Sequence, residues 1–195
     1  LDLLAATPLP AASTRAPTFD IGTGTGVIAA LLARRGIGPI VATDNSERAL
    51  ACAAENLERL GVADRVELVA TDGYPPGRAG LVVCNPPWLP GKATTLLEQG
   101  VYDPDSRMLS MFLEGLAGHL EPGGEGWLLM SDLAERLGLR REGELAERFA
   151  AAGLRVIGRD QLRPRHRRSR DRDDPLAAAR GSEIVSLWRL ASAGS

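Results

Sequence analysis

Short apolar runs alternate with amphipathic stretches along most of the chain. Thr18–Ile21, Pro39–Thr43, Arg65–Ala70 and Ala79–Cys84 read as strands, the last a short, fully buried one that ends at Asn85. Between them, a helix over Thr25–Arg35 gathers Val27, Ile28, Leu31 and Leu32 on one side and stops at Gly36. A second helix covers Glu47–Leu60, with Ser46 suited to its N-cap and Gly61 to its end. A third, Ser106–Leu120, carries Met108, Leu109, Phe112, Leu113 and Leu116 at helical spacing. Pro122-Gly123-Gly124 then turns the chain into a fifth strand, Gly126–Met130. A last helix, Gly143–Ala152 with a start as early as Leu133, precedes two strands, Leu154–Gln161 and Glu183–Leu190. Strands alternating with helices predict an α/β, doubly wound, mostly parallel seven-stranded sheet. The last two strands have no helix between them and predict an antiparallel C-terminal hairpin.

The interruptions set the domain plan. Residues 1–17 read as a helix fragment followed by a Pro/Ala/Ser/Thr connector, and 18–195 as one catalytic-size domain. Residues 89–105 lack regular periodicity and contain Pro90, Gly91, Gly100 and Pro104, the signature of a long binding loop or lid. The start, Leu1-Asp2-Leu3-Leu4, has neither Met nor a basic-then-apolar leader and reads as the middle of a helix, which implies residues upstream. A net charge of -2 gives no global pull toward nucleic acid or membrane, so any such contact is local. No apolar run approaches the ~20 residues of a membrane span. Cys52 and Cys84, placed in a helix and a buried strand, are expected to be reduced core thiols of a cytoplasmic protein.

The residues with chemistry fall at strand ends. In a parallel sheet with helices on both faces, ligands bind beyond the carboxyl ends of the strands, and Asp20, Asp44, Asp72 and Asn85 all stand there. Gly22, Gly24 and Gly26, with Thr23 between the first two, form a tight turn that a ligand can approach closely. The spacing is G-x-G-x-G; the dinucleotide fingerprint G-x-G-x-x-G fails because residue 27 is Val, which argues against a nicotinamide-dependent oxidoreductase. Asp20 suits a cationic amino group better than a pyrophosphate. Asp44, 18 residues after Gly26, suits ribose hydroxyls, with Asn45 beside it. Asp72, followed by Gly73, can accept from an exocyclic amine. Together they describe an adenosine-containing ligand with a positively charged tail. After the fourth strand, Asn85-Pro86-Pro87-Trp88 forms a stiff turn, because proline cannot continue a sheet. The Asn85 side chain and the Pro86 backbone carbonyl offer two adjacent acceptors for a planar –NH2, and Trp88 a flat face on which it can stack.

Asp20-Ile21-Gly22-Thr23-Gly24-Thr25-Gly26 resembles the first motif of the class I S-adenosylmethionine-dependent methyltransferases. Asn85-Pro86-Pro87-Trp88 narrows the likeness to the amino-group methyltransferases, especially the HemK/PrmC-type glutamine N5-methyltransferases and related small-domain RNA N-methyltransferases. The likeness runs from about Phe19 to Leu190, with Trp88 where those enzymes usually have Tyr. It implies a Rossmann-like fold and S-adenosylmethionine as cofactor, with S-adenosylhomocysteine as product. It also implies methyl transfer to a planar nitrogen of a macromolecule. A protein glutamine side chain is the first expectation and an rRNA or tRNA base the alternative; a non-catalytic cofactor-binding module is a more distant one. The implied cofactor residues are Asp20, Gly22, Thr23, Gly24, Gly26, Asp44, Asn45, Asp72, Gly73 and Asn85, and the catalytic ones Asn85, Pro86, Pro87 and Trp88. No metal cluster is visible, His119 and His166 lacking ligand-type neighbours. Arg163 to Arg172 holds six arginines in ten residues, a loop suited to RNA phosphates or an acidic protein surface, or simply to solvent.

Overall fold

The computed structural model describes residues 1–91, 102–164 and 181–194. The apolar runs form β1 (Thr18–Ile21), β2 (Ile40–Asp44), β3 (Val66–Ala70) and β4 (Ala79–Cys84). A separate parallel pair, β5 (Leu89–Pro90) and β6 (Tyr102–Asp103), is followed by β7 (Leu120–Ser131), β8 (Leu154–Leu162) and β9 (Val185–Ser192). Helices are α1 (Asp2–Ala6), α2 (Val27–Arg34), α3 (Glu47–Arg59), α4 (Arg107–His119), α5 (Leu133–Arg136) and α6 (Glu144–Ala151).

The seven-stranded sheet has the order β3-β2-β1-β4-β7-β9-β8. All neighbours are parallel except β9, which runs antiparallel to both β7 and β8. The doubly wound, mostly parallel architecture is therefore as the pattern predicts, and the C-terminal pair is antiparallel with its second strand inserted inward. Period-two alternation sends Leu81, Val83, Trp127 and Leu129 to one face, under α1, α2 and α3. Val82, Cys84, Leu128 and Met130 go to the other, under α4 and α6. β4 is buried at every position, which is why it reads as an unbroken apolar run. Among the described residues no helix is long and apolar enough to cross a membrane.

Several local expectations shift. The connector is not structureless: residues Ala11–Thr14 form a 3-10 turn whose backbone lies against Gly80, where a Cβ would meet the Ala12 carbonyl oxygen at 2.2 Å. Arg35 donates to the carbonyls of Leu4 and Thr7, so residues 1–17 are fastened to the domain. β7 begins six residues before the expected strand, because Leu120 pairs with Ala79 and the ladder skips to Leu81 opposite Glu125, leaving residues 121–124 outside it. The helix expected near Leu133–Ala152 is two helices, interrupted at Gly138 (φ 68°) and Gly143 (φ 80°). Ser46 caps α3 as expected, its Oγ accepting from the Ala49 N–H at 3.3 Å. Cys84 is a buried thiol, but Cys52 is not: it is exposed, because α3 buries only Ala53 and Leu57. The loop predicted over 89–105 contributes β5, β6 and a 3-10 turn at Pro104–Ser106; its residues 92–101 lie outside the described residues.

Candidate active site

The carboxyl ends of β1, β2, β3 and β4 share one sheet edge, and a cleft of about 780 Å³ opens there. Of the residues singled out in the sequence, Gly22, Thr23, Gly24, Asp44, Asn45 and Asp72 line it, as do Gly73, Asn85 and Pro87. Asp20, Gly26, Pro86 and Trp88 are not among its lining residues.

The glycine loop is held by its own backbone and by β2. Gly22, Gly24 and Gly26 have φ of 69°, 57° and 76°, in the left-handed region that other residues enter at a cost. Thr23 N–H donates to the Thr43 carbonyl at 2.8 Å, and Gly24 N–H to Asp44 Oδ2 at 2.9 Å. Asp44 Oδ1 accepts from Ser46 N–H, also at 2.9 Å, so a single carboxylate joins the loop to the start of α3. Beneath the loop, Asp20 is 1% exposed. Its Oδ2 accepts from the Thr23 hydroxyl (2.7 Å) and from Ala29 N–H (3.1 Å), while its Oδ1 is buried with no hydrogen-bond partner. Burial pushes this carboxyl up to about 6; the two hydrogen bonds pull it back only in part, and the charge of Asp44 adds to the rise.

Asp72 is more open. Its Oδ1 accepts from the Asn45 amide at 3.3 Å and its Oδ2 pairs with the Arg107 guanidinium, both side chains being at least half exposed. Asn85 is exposed at the end of β4, and its Oδ1 accepts from the Trp88 indole N–H at 3.1 Å.

The far wall of the cleft comes from α4, which the sequence pattern identifies only as a core helix. Asp103, Arg107, Met108 and Met111 line it. Asp103 is buried and accepts from Met108 N–H (3.0 Å) and Leu109 N–H (3.2 Å), neutralising free donors at the helix start. Between Asp103 and the helix, Asp105 and Ser106 take φ of 56° and 52°, strained values for non-glycine residues. This path lets Met108 reach the loop, where a Cβ on Gly22 would lie 2.0 Å from its Cε, and brings Met111 against Gly73. Tyr74 donates to the Phe112 carbonyl and stacks on His119 at 4.2 Å, fastening the turn after β3 to α4. His119 is thus part of the scaffold. Of the basic segment 163–172, residues 165–172 lie outside the described residues.

The sequence model of the methyltransferase small domain family matches residues 3–150, a span that holds the whole cleft wall just described. The chain belongs to this family. Among relatives of the small-domain methyltransferase, the release factor glutamine methyltransferase of Cereibacter sphaeroides is 41% identical over 114 residues, 57% of this chain and 37% of that protein. The tRNA1(Val) (adenine(37)-N6)-methyltransferase of Bacteroides thetaiotaomicron is 32% identical over 131 residues, 61% of this chain and 54% of the other. The chain thus spans about half or less of the length of these relatives. A SAM-dependent methyltransferase from Geobacter sulfurreducens, solved with S-adenosylhomocysteine, shares the fold at a TM-score of 0.56 and 22% identity, covering 91% of this chain and 84% of that one. The resemblance to a methyltransferase read from the sequence is borne out by the family match, and the Rossmann-like fold by the structural likeness.

Proposed function

We propose that this domain moves a methyl group from S-adenosylmethionine to the planar –NH2 of a macromolecule, with a protein glutamine side chain as first acceptor and an rRNA or tRNA base amine as the alternative. The observation that carries it is the presence of Asn85 on the rim of the cleft lined by the glycine loop, Asp44 and Asp72. Two relatives that act on glutamine and on adenine N6 by name both support an –NH2 acceptor, and the second favours the RNA alternative.

The residues present suit the cofactor. Asp20 Oδ1 is a buried acceptor without a partner beneath the glycine loop, matched to a cationic amino group. Asp44 already accepts two N–H donors, and a carboxylate has lone pairs for two more, enough for a pair of ribose hydroxyls. Asp72 and Asn45 would face the adenine end, and Met108 and Met111 offer polarisable, adaptable surface to a flat ring. When bound, the cofactor supplies a methyl group made electrophilic by a sulfonium. Asn85 Oδ1 and the Pro86 carbonyl would accept one hydrogen each from the acceptor –NH2, holding the nitrogen and favouring a lone pair aimed into the cleft. Orientation of this kind contributes up to roughly 7–11 kcal/mol in well-aligned cases. Two free cysteines suit the reducing cytoplasm as its location.

The test is calorimetric titration of the chain with S-adenosylmethionine, S-adenosylhomocysteine and NAD, followed by labelled-methyl transfer to a glutamine-containing peptide and to total tRNA. Binding of the first two ligands and not NAD, with label on the peptide, is the expected result. Label on tRNA alone would select the RNA reading. Cofactor binding with label on neither would overturn the acceptor assignment.

A further inference from the structure

We infer that Trp88 is a positioning residue whose indole N–H fixes which end of the Asn85 carboxamide faces the acceptor; this rests on the N-methyltransferase reading above. The sequence suggests a stacking platform, but Trp88 does not line the cleft. Its ring is half-buried and packs against both core layers, and its N–H reaches Asn85 Oδ1 at 3.1 Å. Among the described residues the Asn85 side chain has no other hydrogen-bond partner.

The chemistry of the pair makes the orientation unique. An indole N–H only donates, and a carboxamide has a carbonyl at one end and two N–H donors at the other. Turning the amide over would bring donor against donor. A tyrosine hydroxyl both donates and accepts, so it would hold either end; phenylalanine would hold neither. Two prolines separate Asn85 from Trp88, so the backbone between donor and acceptor is stiff as well. The carboxamide would otherwise rotate freely, since Asn85 is exposed.

The pairing also limits what Asn85 can recognise. Of the two lone pairs on Oδ1, the indole N–H takes one, which leaves a single acceptor for the incoming nitrogen. The second hydrogen must go to another acceptor, the role given above to the Pro86 carbonyl. Trp88 thereby helps to select a nitrogen carrying two hydrogens over one carrying a single hydrogen, although it touches neither.

The experiment pairs spectroscopy with kinetics on the whole chain. In 1H–15N spectra, the Trp88 indole signal is expected to shift in Asn85→Ala, and the separation of the two Asn85 side-chain amide signals to shrink in Trp88→Phe. Unchanged signals in both variants would overturn the inference whatever the acceptor is. With labelled S-adenosylmethionine and a glutamine-containing peptide, Trp88→Phe should lower kcat about five- to tenfold with KM within about twofold, the size of effect expected for one lost hydrogen bond. Trp88→Tyr should recover part of that loss. A stacking role predicts the reverse: Phe retained, and KM raised by Trp88→Leu. Cofactor affinity within about twofold of wild type in the three Trp88 variants confirms an intact fold. If the wild-type chain methylates no glutamine peptide, the acceptor reading fails, and the spectra still decide the role of Trp88.

Discussion

The two halves of the cleft are built in different ways. On the side proposed for the cofactor, the carboxylates of Asp20 and Asp44 are bound by backbone N–H groups of the glycine loop and of helix starts. Both aspartates sit at the ends of adjacent parallel strands, so the sheet itself dictates where they stand. On the side proposed for the acceptor, Asn85 is held by one side chain among the described residues, and the chain beyond it includes a two-residue strand pair and two left-handed residues. Backbone geometry preorganises the first half, whereas individual side-chain choices set the second. Such a division lets one cofactor site be joined to different acceptors by changes in a few residues.

The sharpest way to separate the halves is Asn85→Ala. Methyl transfer should fall by about 10²–10³-fold, as when a fixed polar group at a reacting centre is removed, while the dissociation constant for S-adenosylhomocysteine stays within a few fold. Rate and affinity falling together would mean that the halves are not independent. Next in size, Asp44→Ala should raise that dissociation constant about 10- to 100-fold, since it removes hydrogen bonds to a charged group and frees Gly24 N–H. An unchanged titration would remove Asp44 from the cofactor site. Third, pH should act through Asp20. Its carboxyl titrates near 6 when buried, and a cationic ligand favours the ionised form, so binding should release a proton there. Affinity should weaken as pH falls below 6, by up to about tenfold per unit, and Asp20→Asn should flatten the profile. The fold responds in the opposite direction: a raised carboxyl pKa means that the unligated chain loses stability as pH rises from about 4 to 6. The smallest effect is expected for Arg107→Ala. Its ion pair with Asp72 is exposed, so thermal stability should change by less than about 1 kcal/mol, and cofactor affinity by a small factor. A large loss would place Arg107 among the ligand's own contacts.

What the sequence makes legible follows the same division. The strands were readable because β4 is buried on both faces and the chain alternates strand with helix, and the aspartates because they end those strands. Asp103 was not readable as the partner of the α4 start: it lies five and six residues before the N–H groups it accepts from, outside the spacing of a local cap, and the path requires left-handed Asp105 and Ser106. Met108 and Met111 look like core residues at helical spacing, and only the crossing of α4 over the glycine loop shows that their ends line the cleft. Arg107 finds Asp72 across 35 residues, a pairing that no local pattern encodes. The motif draws attention to the face of Trp88, whereas the N–H on its edge makes the contact with Asn85.

The place of β9 bears on how the chain is made. It follows β8 in the chain, yet it lies inside the sheet, with β7 on one side and β8 on the other. A nascent chain on the ribosome can assemble β1 to β4 and β7 early, but β8 has no neighbour to pair with until residues 185–192 have emerged. Until then β7 presents an open edge able to recruit strands from other chains. A premature stop before Val185 would therefore leave the glycine loop and Asn85 encoded in full and still yield an aggregation-prone product.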